Sequence, residues 1–368
     1  MSNYLMHGKA SVLIDGQFGS TGKGLAAAYQ VEQIDKHAPQ HNWSATVCTT
    51  NAAPNAGHTT VLPDGTKFVT FHMPTMGVLK PQTIIYLNAG AIIDVDMLMK
   101  EIFDLKIDPR RIVVHPNAAV ITQEDKDYEQ NKASGATKIA STQKGVGRAL
   151  ARKIMREGVT AKNVAKDLEA MGMTVNRLDL NNMMERGYAV SIETPQGMSL
   201  SLNNGFHPHC TSREVSVSQS LSDAGIHPSY LYQTLMTART YPIRVGHIVN
   251  EDGTIAGNSG DVYPDQLELS WDNFPHIEPE RTTVTKRVRR IFTFSSSQYR
   301  DSIARLRPDI VHLGFCDYLR NARELEDIVS KMIVAHSYYK KAPLILCSFG
   351  PSTSDIVTLN EARERLSK

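Results

Sequence analysis

Several scarcities narrow what this 368-residue chain can be before any motif is read. Cysteine occurs four times, at Cys48, Cys210, Cys316 and Cys347, with neither CxxC nor zinc spacing. That excludes a disulfide scaffold and fits reduced thiols in a cytoplasm, with two of the four falling in apolar runs that read as strands. Excess charge is also missing: 40 Lys and Arg against 38 Asp and Glu leave +2, so nothing global demands nucleic acid or a membrane as partner. No apolar run approaches the roughly 20 residues that cross a bilayer, and no apolar leader opens the chain. A soluble, intracellular protein is expected. Repeats, low-complexity linkers and a convincing domain boundary are absent too, so residues 1–368 read as a single domain, with a helical subregion at about 143–188. What is present is 41% hydrophobic residues, ample for a large core.

Residues 15–24 read DGQFGSTGKG, between the apolar run SVLI and the helix-compatible LAAAYQVEQI. A strand, a glycine-rich turn and a helix start are implied. Backbone N–H groups in such a turn, with the helix N-terminus behind them, suit phosphate. The segment departs from a Walker A loop, because Ser20 and Thr21 alone separate Gly19 from Gly22-Lys23, and Gly24 stands where a magnesium-holding Ser or Thr is usual.

Downstream, residues 44–50 alternate like a strand, and NAAPNAGHTT then places His58 on a tight loop, either a surface group or a catalytic one. A hairpin turning at Asp64-Gly65 follows. Apolar runs at 83–94 and in RRIVVHPNAAVIT flank the helical DVDMLMKEIFDL, which predicts an α/β fold on a mainly parallel sheet with crossover helices. Residues 123–142 show little apolar period. After them STQKGVGRALARKIMREG sets Ser141 and Thr142 beside a turn, with Arg148, Arg152, Lys153 and Arg156 on a helix that is either a solvated face or an anion site. Residues 158–186 read as helical and outside the main sheet. A strand at 189–193 runs into Pro-Gln-Gly and a polar stretch whose His207 and His209 lack a third metal ligand at familiar spacing. Residues 241–249 read as one more strand. Lys286, Arg287, Arg289 and Arg290 form either a charged edge or a carboxylate grip, and DIVHLGFCDYL and APLILCSFGPST close the chain as two strands running into loops.

Taken together, DGQFGSTGKG, NAGHT, STQKGVG, ETPQG, TKRVRR and CSFGP occur in the order seen in adenylosuccinate synthetases, and the resemblance spans residues 12–351. It implies one large α/β domain with P-loop-like nucleotide binding, working as a homodimer. It further implies an ATP-dependent C–N ligase reaction, in which a nucleoside triphosphate phosphorylates the 6-oxygen of a purine nucleotide and L-aspartate displaces that phosphate. Carried over by position, Ser20, Lys23 and His58 occupy catalytic places. Asn55, Ser141, Thr142, Gln196 and Thr211, with Ser20, resemble the purine-nucleotide contacts. Arg156 resembles an arginine that reaches the nucleotide's phosphate from the other subunit. Thr285, Arg287 and Arg289 resemble the aspartate-binding loop. Gly19, Thr21, Gly22, Lys23, Gly24, Gly57, His58, Thr59, Asp317, Ser348, Gly350 and Pro351 resemble the triphosphate site. One or two Mg2+ ions are implied, with Gly57 and the position of Ser20 as protein contacts.

Two departures carry information. The family has Asp-Glu where this chain has Ser20-Thr21, and that aspartate takes the N1 proton and ligates magnesium. A neutral hydroxyl there makes room for a purine 2-amino group and can accept from it, which resembles the bacteriophage branch that makes 2-aminoadenylosuccinate from dGMP or GMP. The proton acceptor stays open among Asp15, the surroundings of Gln196 and the substrate's own carboxylate. Secondly, Phe315-Cys316-Asp317 replaces a Lys-Leu-Asp that reads guanine, so ATP or dATP suits the base pocket better than GTP. Three alternatives remain on sequence: an ordinary inosinate-using enzyme with a relocated base, a noncatalytic nucleotide-binding homologue and, disfavoured by the missing Walker Ser/Thr, a P-loop kinase. The expected location is the cytoplasm, that of the host if a phage encodes the chain.

Overall fold

The run Ala10–Asp15 is buried along its whole length and forms the strand on which the phosphate loop is mounted. The computed structural model describes residues 4–131, 134–252, 254–282 and 286–368. Among these, ten strands make one sheet: β1 (Ala10–Asp15), β2 (Thr46–Thr50), β3 (Ile84–Leu87), β4 (Ile112–Val114), β5 (Thr174–Val175), β6 (Ala189–Gly197), β7 (Leu231–Arg239), β8 (Ile310–Gly314), β9 (Leu344–Ser348) and β10 (Ile356–Thr358). Their spatial order is β10-β9-β8-β7-β1-β6-β2-β3-β4-β5. All neighbours are parallel except the β9–β10 pair at one edge.

A parallel sheet needs both faces covered, and alternation along β1 divides the labour. Val12 and Ile14 pack on one face with Ile192, Met236 and Val311, and the helices Ser296–Leu306 and Ala322–Tyr338 close over them. Leu13 points the other way, to Leu25, Val31 and Ile34 of helix α1 (Lys23–His37). Each such aliphatic side chain contributes about 1.5–3 kcal/mol when fully buried. The sheet thus holds β1 rigidly between β6 and β7, and the loops after β1, β6, β7, β8 and β9 gather at its carboxyl edge, where doubly wound sheets place ligands.

Four expectations are corrected. Residues 158–186 do not stay outside the sheet, because β5 pairs with β4 and extends its edge. Residues 241–249 are not one strand: Ile243–Arg244 pairs with Arg290–Phe292 and Ile248–Val249 with Ile255–Gly257. The break falls at Gly246, where a Cβ would stand 2.1 Å from the carbonyl oxygen of Val288. Residues 123–142 contain the helices Gln123–Gln130 and Gly135–Lys138, the first started by a Thr122–Asp125 capping box rather than by apolar period. His58 opens the strand His58–Val61, which pairs with Lys67–Thr70. No helix among the described residues is long and apolar enough to cross a membrane.

Candidate active site

After β1 the chain must turn sharply to enter α1, and it does so through left-handed backbone at Gly19 (φ 93°), Ser20 (φ 57°) and Gly22 (φ 90°). Only glycine adopts this region freely, so Ser20 is the costly member of the turn. The outcome is an exposed Ser20 side chain and an α1 N-terminus with no side-chain cap, whose N–H groups stay open to an anion. Lys23, 5% exposed, donates to the backbone carbonyl of Gln196 (2.9 Å) and to Asp15 Oδ2 (3.3 Å). Thr21 faces the other way: its hydroxyl is fully buried and donates to Asp15 Oδ2 at 2.5 Å. The expectation that Thr21 serves the triphosphate is therefore limited to its backbone.

His58 projects from its strand toward the loop, and its Nδ1 meets Glu193 Oε1 at 2.5 Å. Glu193 is 3% exposed, at a position of β6 that the sequence reading passed over, and it also accepts from Thr75 N (2.7 Å) and Thr75 Oγ1 (3.0 Å). A buried carboxylate held by other donors fixes both ring orientation and tautomer, leaving Nε2 as the nitrogen available to a ligand. The readable signal was a glutamate inside an apolar strand.

Two cavities open on either side of this loop, of about 200 and 450 Å3. Ser20, Lys23, Gly57, His58 and Arg289 line both. Asn55, Ser141, Thr142, Gln196 and Thr211 converge on the first, where Asn55 Oδ1 and Thr211 Oγ1 are buried without a protein partner. Such atoms are normally satisfied, so a polar ligand fits there. Thr21, Gly22, Gly24, Thr59, Asp317, Ser348, Gly350 and Pro351 line the second; Gly19 lines the first instead. Arg156 reaches neither cavity of its own chain: it sits exposed, left-handed, at the end of helix α2 (Val146–Met155).

A family model described as adenylosuccinate synthetase matches residues 12–179 and 160–338. The chain belongs to the adenylosuccinate synthetase family. Among its relatives, the N6-succino-2-amino-2'-deoxyadenylate synthase of Vibrio phage phiVC8 is 37% identical over 357 residues, covering 94% of this chain and 96% of the relative. That of Salmonella phage PMBT28 is 34% identical over 368 residues, covering 95% and 97%. The succinoaminodeoxyadenylate synthetase of cyanophage S-2L, solved bound to dGMP and dATP as an energy donor, superposes with a TM-score of 0.81 at 33% identity, covering 97% of this chain and 99% of that one.

In this member of the family, the arginine loop is divided. Thr285 lies outside the described residues. Arg287 is drawn off to backbone carbonyls of Gly246 (3.2 Å), Ala140 (2.9 Å) and Ser141 (3.3 Å), tying its loop to the Ser141–Thr142 wall rather than lining a cavity. Arg289 does face both cavities, and burial lowers its pKa to about 10, with Glu280 opposing. Asp317 is shifted upward by burial.

Sequence reasoning also missed the wall beneath Phe315. Arg239, fully buried, lies 3.6 Å from the ring centroid, donates to the Ser20 carbonyl (3.2 Å) and pairs with Glu280, which also accepts from Tyr318 (2.7 Å). Burial would raise the Glu280 pKa, but the Arg239 charge and these hydrogen bonds hold it below the ordinary value. In the first cavity Arg244, 3% exposed, stacks over Phe18 at 4.6 Å, and burial brings its pKa to about 10. Burial first and Arg244 second push the nearby His209 below its usual range. No Asp or Glu lines the first cavity among the described residues, which makes it a seat for an anion.

Glu193→Gln keeps the shape beside His58 but removes the charge and one acceptor. The expected outcome is a kcat lower by about 10- to 100-fold with KM values changed little, measured by steady-state kinetics. Unchanged turnover would show that Glu193 does not act through His58.

Proposed function

We propose that this enzyme joins L-aspartate to carbon 6 of dGMP, using ATP or dATP, to give 2-amino-2'-deoxyadenylosuccinate. One observation carries the reading: two cavities meet at Ser20, Lys23, Gly57 and His58, so a mononucleotide and a triphosphate can face one another across a single loop. The γ-phosphoryl group passes to the purine 6-oxygen, the diphosphate leaves, and the purine N1 gives up its proton to the surroundings of Gln196 or to the substrate's own carboxylate. The aspartate amine then attacks carbon 6 and expels inorganic phosphate, whose oxygen came from the purine. Lys23 and the open α1 amides balance charge on the transferring group. His58, its ring set by Glu193, acts as general acid, a role typically worth about 10²–10⁴ in rate. Arg289, facing both cavities, holds the amino acid's carboxylates.

Magnesium fits as an ion held mainly by substrate. The described residues contain no group of three or more His, Cys, Asp and Glu that could cage it, yet Mg2+ commonly takes one or two protein oxygens with phosphates and waters. Ser20 Oγ and the Gly57 carbonyl would supply those oxygens, and the ion would add positive charge against the phosphates.

Ser20 sets the substrate. Its hydroxyl, exposed at the junction of the cavities, accepts from the guanine 2-amino group, whereas a carboxylate there would crowd that group. Phe315, backed by Arg239, offers an aromatic wall for adenine in the second cavity. Arg156 completes the partner subunit's mononucleotide site: it is exposed beside Ile154 (68%) and Met155 (65%), apolar side chains suited to a subunit contact.

With aspartate and magnesium, succinyl-nucleotide is expected from dGMP with ATP or dATP and not from IMP; product from IMP alone would overturn the reading. Ser20→Asp should lower the dGMP-to-IMP ratio of kcat/KM by about tenfold or more, and an unchanged ratio would remove Ser20 as the selector. Two inactive variants, Lys23→Met and Arg156→Ala, should regain activity on mixing, because heterodimers rebuild one intact site. Mixtures that stay inactive would refute the shared site.

A further inference from the structure

Asp15 is fully buried and touches neither cavity, which removes it as an acceptor of the purine N1 proton, yet much of the phosphate loop converges on it. It is the last residue of β1, fully buried, in register with Gly197 of β6 and Thr237 of β7. Its Oδ1 accepts from Gln17 N at 2.7 Å, where the loop begins. Its Oδ2 accepts from Thr21 Oγ1 at 2.5 Å, in the middle, and from Lys23 Nζ at 3.3 Å, where α1 starts. The Thr21 hydroxyl has one proton and spends it on the carboxylate, so the 2.6 Å contact with Thr237 Oγ1 is donated by Thr237. Gly197 is shaped to this cluster, since a Cβ there would fall 2.7 Å from Asp15 Oδ1 and 2.2 Å from the Gln17 carbonyl oxygen.

The consequence is electrostatic. Lys23 lines both cavities, alone among lysines in the first and with Lys67 in the second among the described residues, and its ammonium rests on a buried counter-charge and on the Gln196 carbonyl. Of its three protons, two are so engaged and one is left for a ligand. At 3.3 Å the bond to Asp15 is longer than charge-assisted bonds usually are, whereas the bond to Gln196 is not. A phosphate arriving at the loop therefore competes with Asp15 for the ammonium, and the contact that yields is the long one.

We propose that Asp15 is a positioning residue: it restrains Lys23 in the resting loop, so that the lysine engages phosphate fully as charge builds during transfer rather than on binding. The proposal rests on the ligase reading for its catalytic half and on geometry alone for its binding half. Interactions made stronger in the transition state than in the ground state are those that raise turnover. Neutralising Asp15 should therefore tighten triphosphate binding while slowing transfer, a combination that a merely damaged loop would not give.

The test uses the full-length enzyme with Asp15→Asn, Lys23→Met and the double variant. The dissociation constant for dATP is measured calorimetrically without the other substrates, and kcat separately. Asp15→Asn is expected to bind dATP about threefold tighter or more while kcat falls about tenfold or more. In the Lys23→Met background the same change should move dATP affinity less than twofold. Unchanged or weaker dATP binding by Asp15→Asn, an undiminished kcat, or an equal effect without Lys23 would overturn the proposal. Should Asp15→Asn fail to fold, Thr21→Val serves: it takes one donor from Asp15, so Lys23 is held harder and dATP binding weakens; unchanged or tighter binding overturns the proposal. Wild-type protein that binds dATP but forms no succinyl-nucleotide would count against the ligase reading, while the binding comparison would still judge Asp15.

Discussion

Two anionic nucleotides must be brought close enough to exchange a phosphoryl group, and their repulsion is the constraint around which this molecule is arranged. At 4 Å, two unit charges repel by about 4 kcal/mol at an effective dielectric of 20, and each nucleotide carries more than one. Lys23, Arg289 and the uncapped N-terminus of α1 stand where the cavities join. Rigidity comes from below, since β1 is clamped between two long parallel strands and packed on both faces. A loop on a frayed edge could not hold backbone donors within tenths of an ångström of a transferring group.

Carboxylates are distributed to suit the same constraint. The first cavity shows none among its described lining residues, yet Asp15 and Glu193 lie directly behind its cationic wall. Each is almost fully buried and held by backbone or hydroxyl donors, so each orients a basic side chain without facing substrate. Glu280 differs: it pairs with Arg239 under Phe315 while lining the second cavity. With Asp15 and Glu193 set back, the first cavity presents the neutral hydroxyl of Ser20 rather than an anion.

The α/β class, the central turn and most of the residues that line the two cavities were legible because they depend on local chemistry: glycines where φ is positive, apolar runs of strand length, a Pro-Gln-Gly strand end. Less legible were features set by distant parts of the chain. LYQTLMTAR carries too many polar residues to announce a central strand, yet Thr234 and Thr237 are buried once β1 and β8 flank β7. Glu193 reads as an ordinary acid and Asp15 as one candidate proton acceptor until the sheet brings His58 and Lys23 to them. Arg287 looked like a substrate ligand by position, whereas backbone carbonyls from the 140–141 and 246 turns claim its guanidinium. Those turns come from different parts of the chain, and spacing alone cannot report their meeting.

The central claim is that phosphoryl transfer occurs between the two cavities, onto the purine 6-oxygen. Its most direct measurement follows that oxygen: dGMP labelled with 18O at position 6 is converted with aspartate and dATP, and the released phosphate is examined by mass spectrometry. One 18O per inorganic phosphate formed is the expected result. Unlabelled phosphate accompanying succinyl-nucleotide would mean that the oxygen left by another route, and would contradict the mechanism.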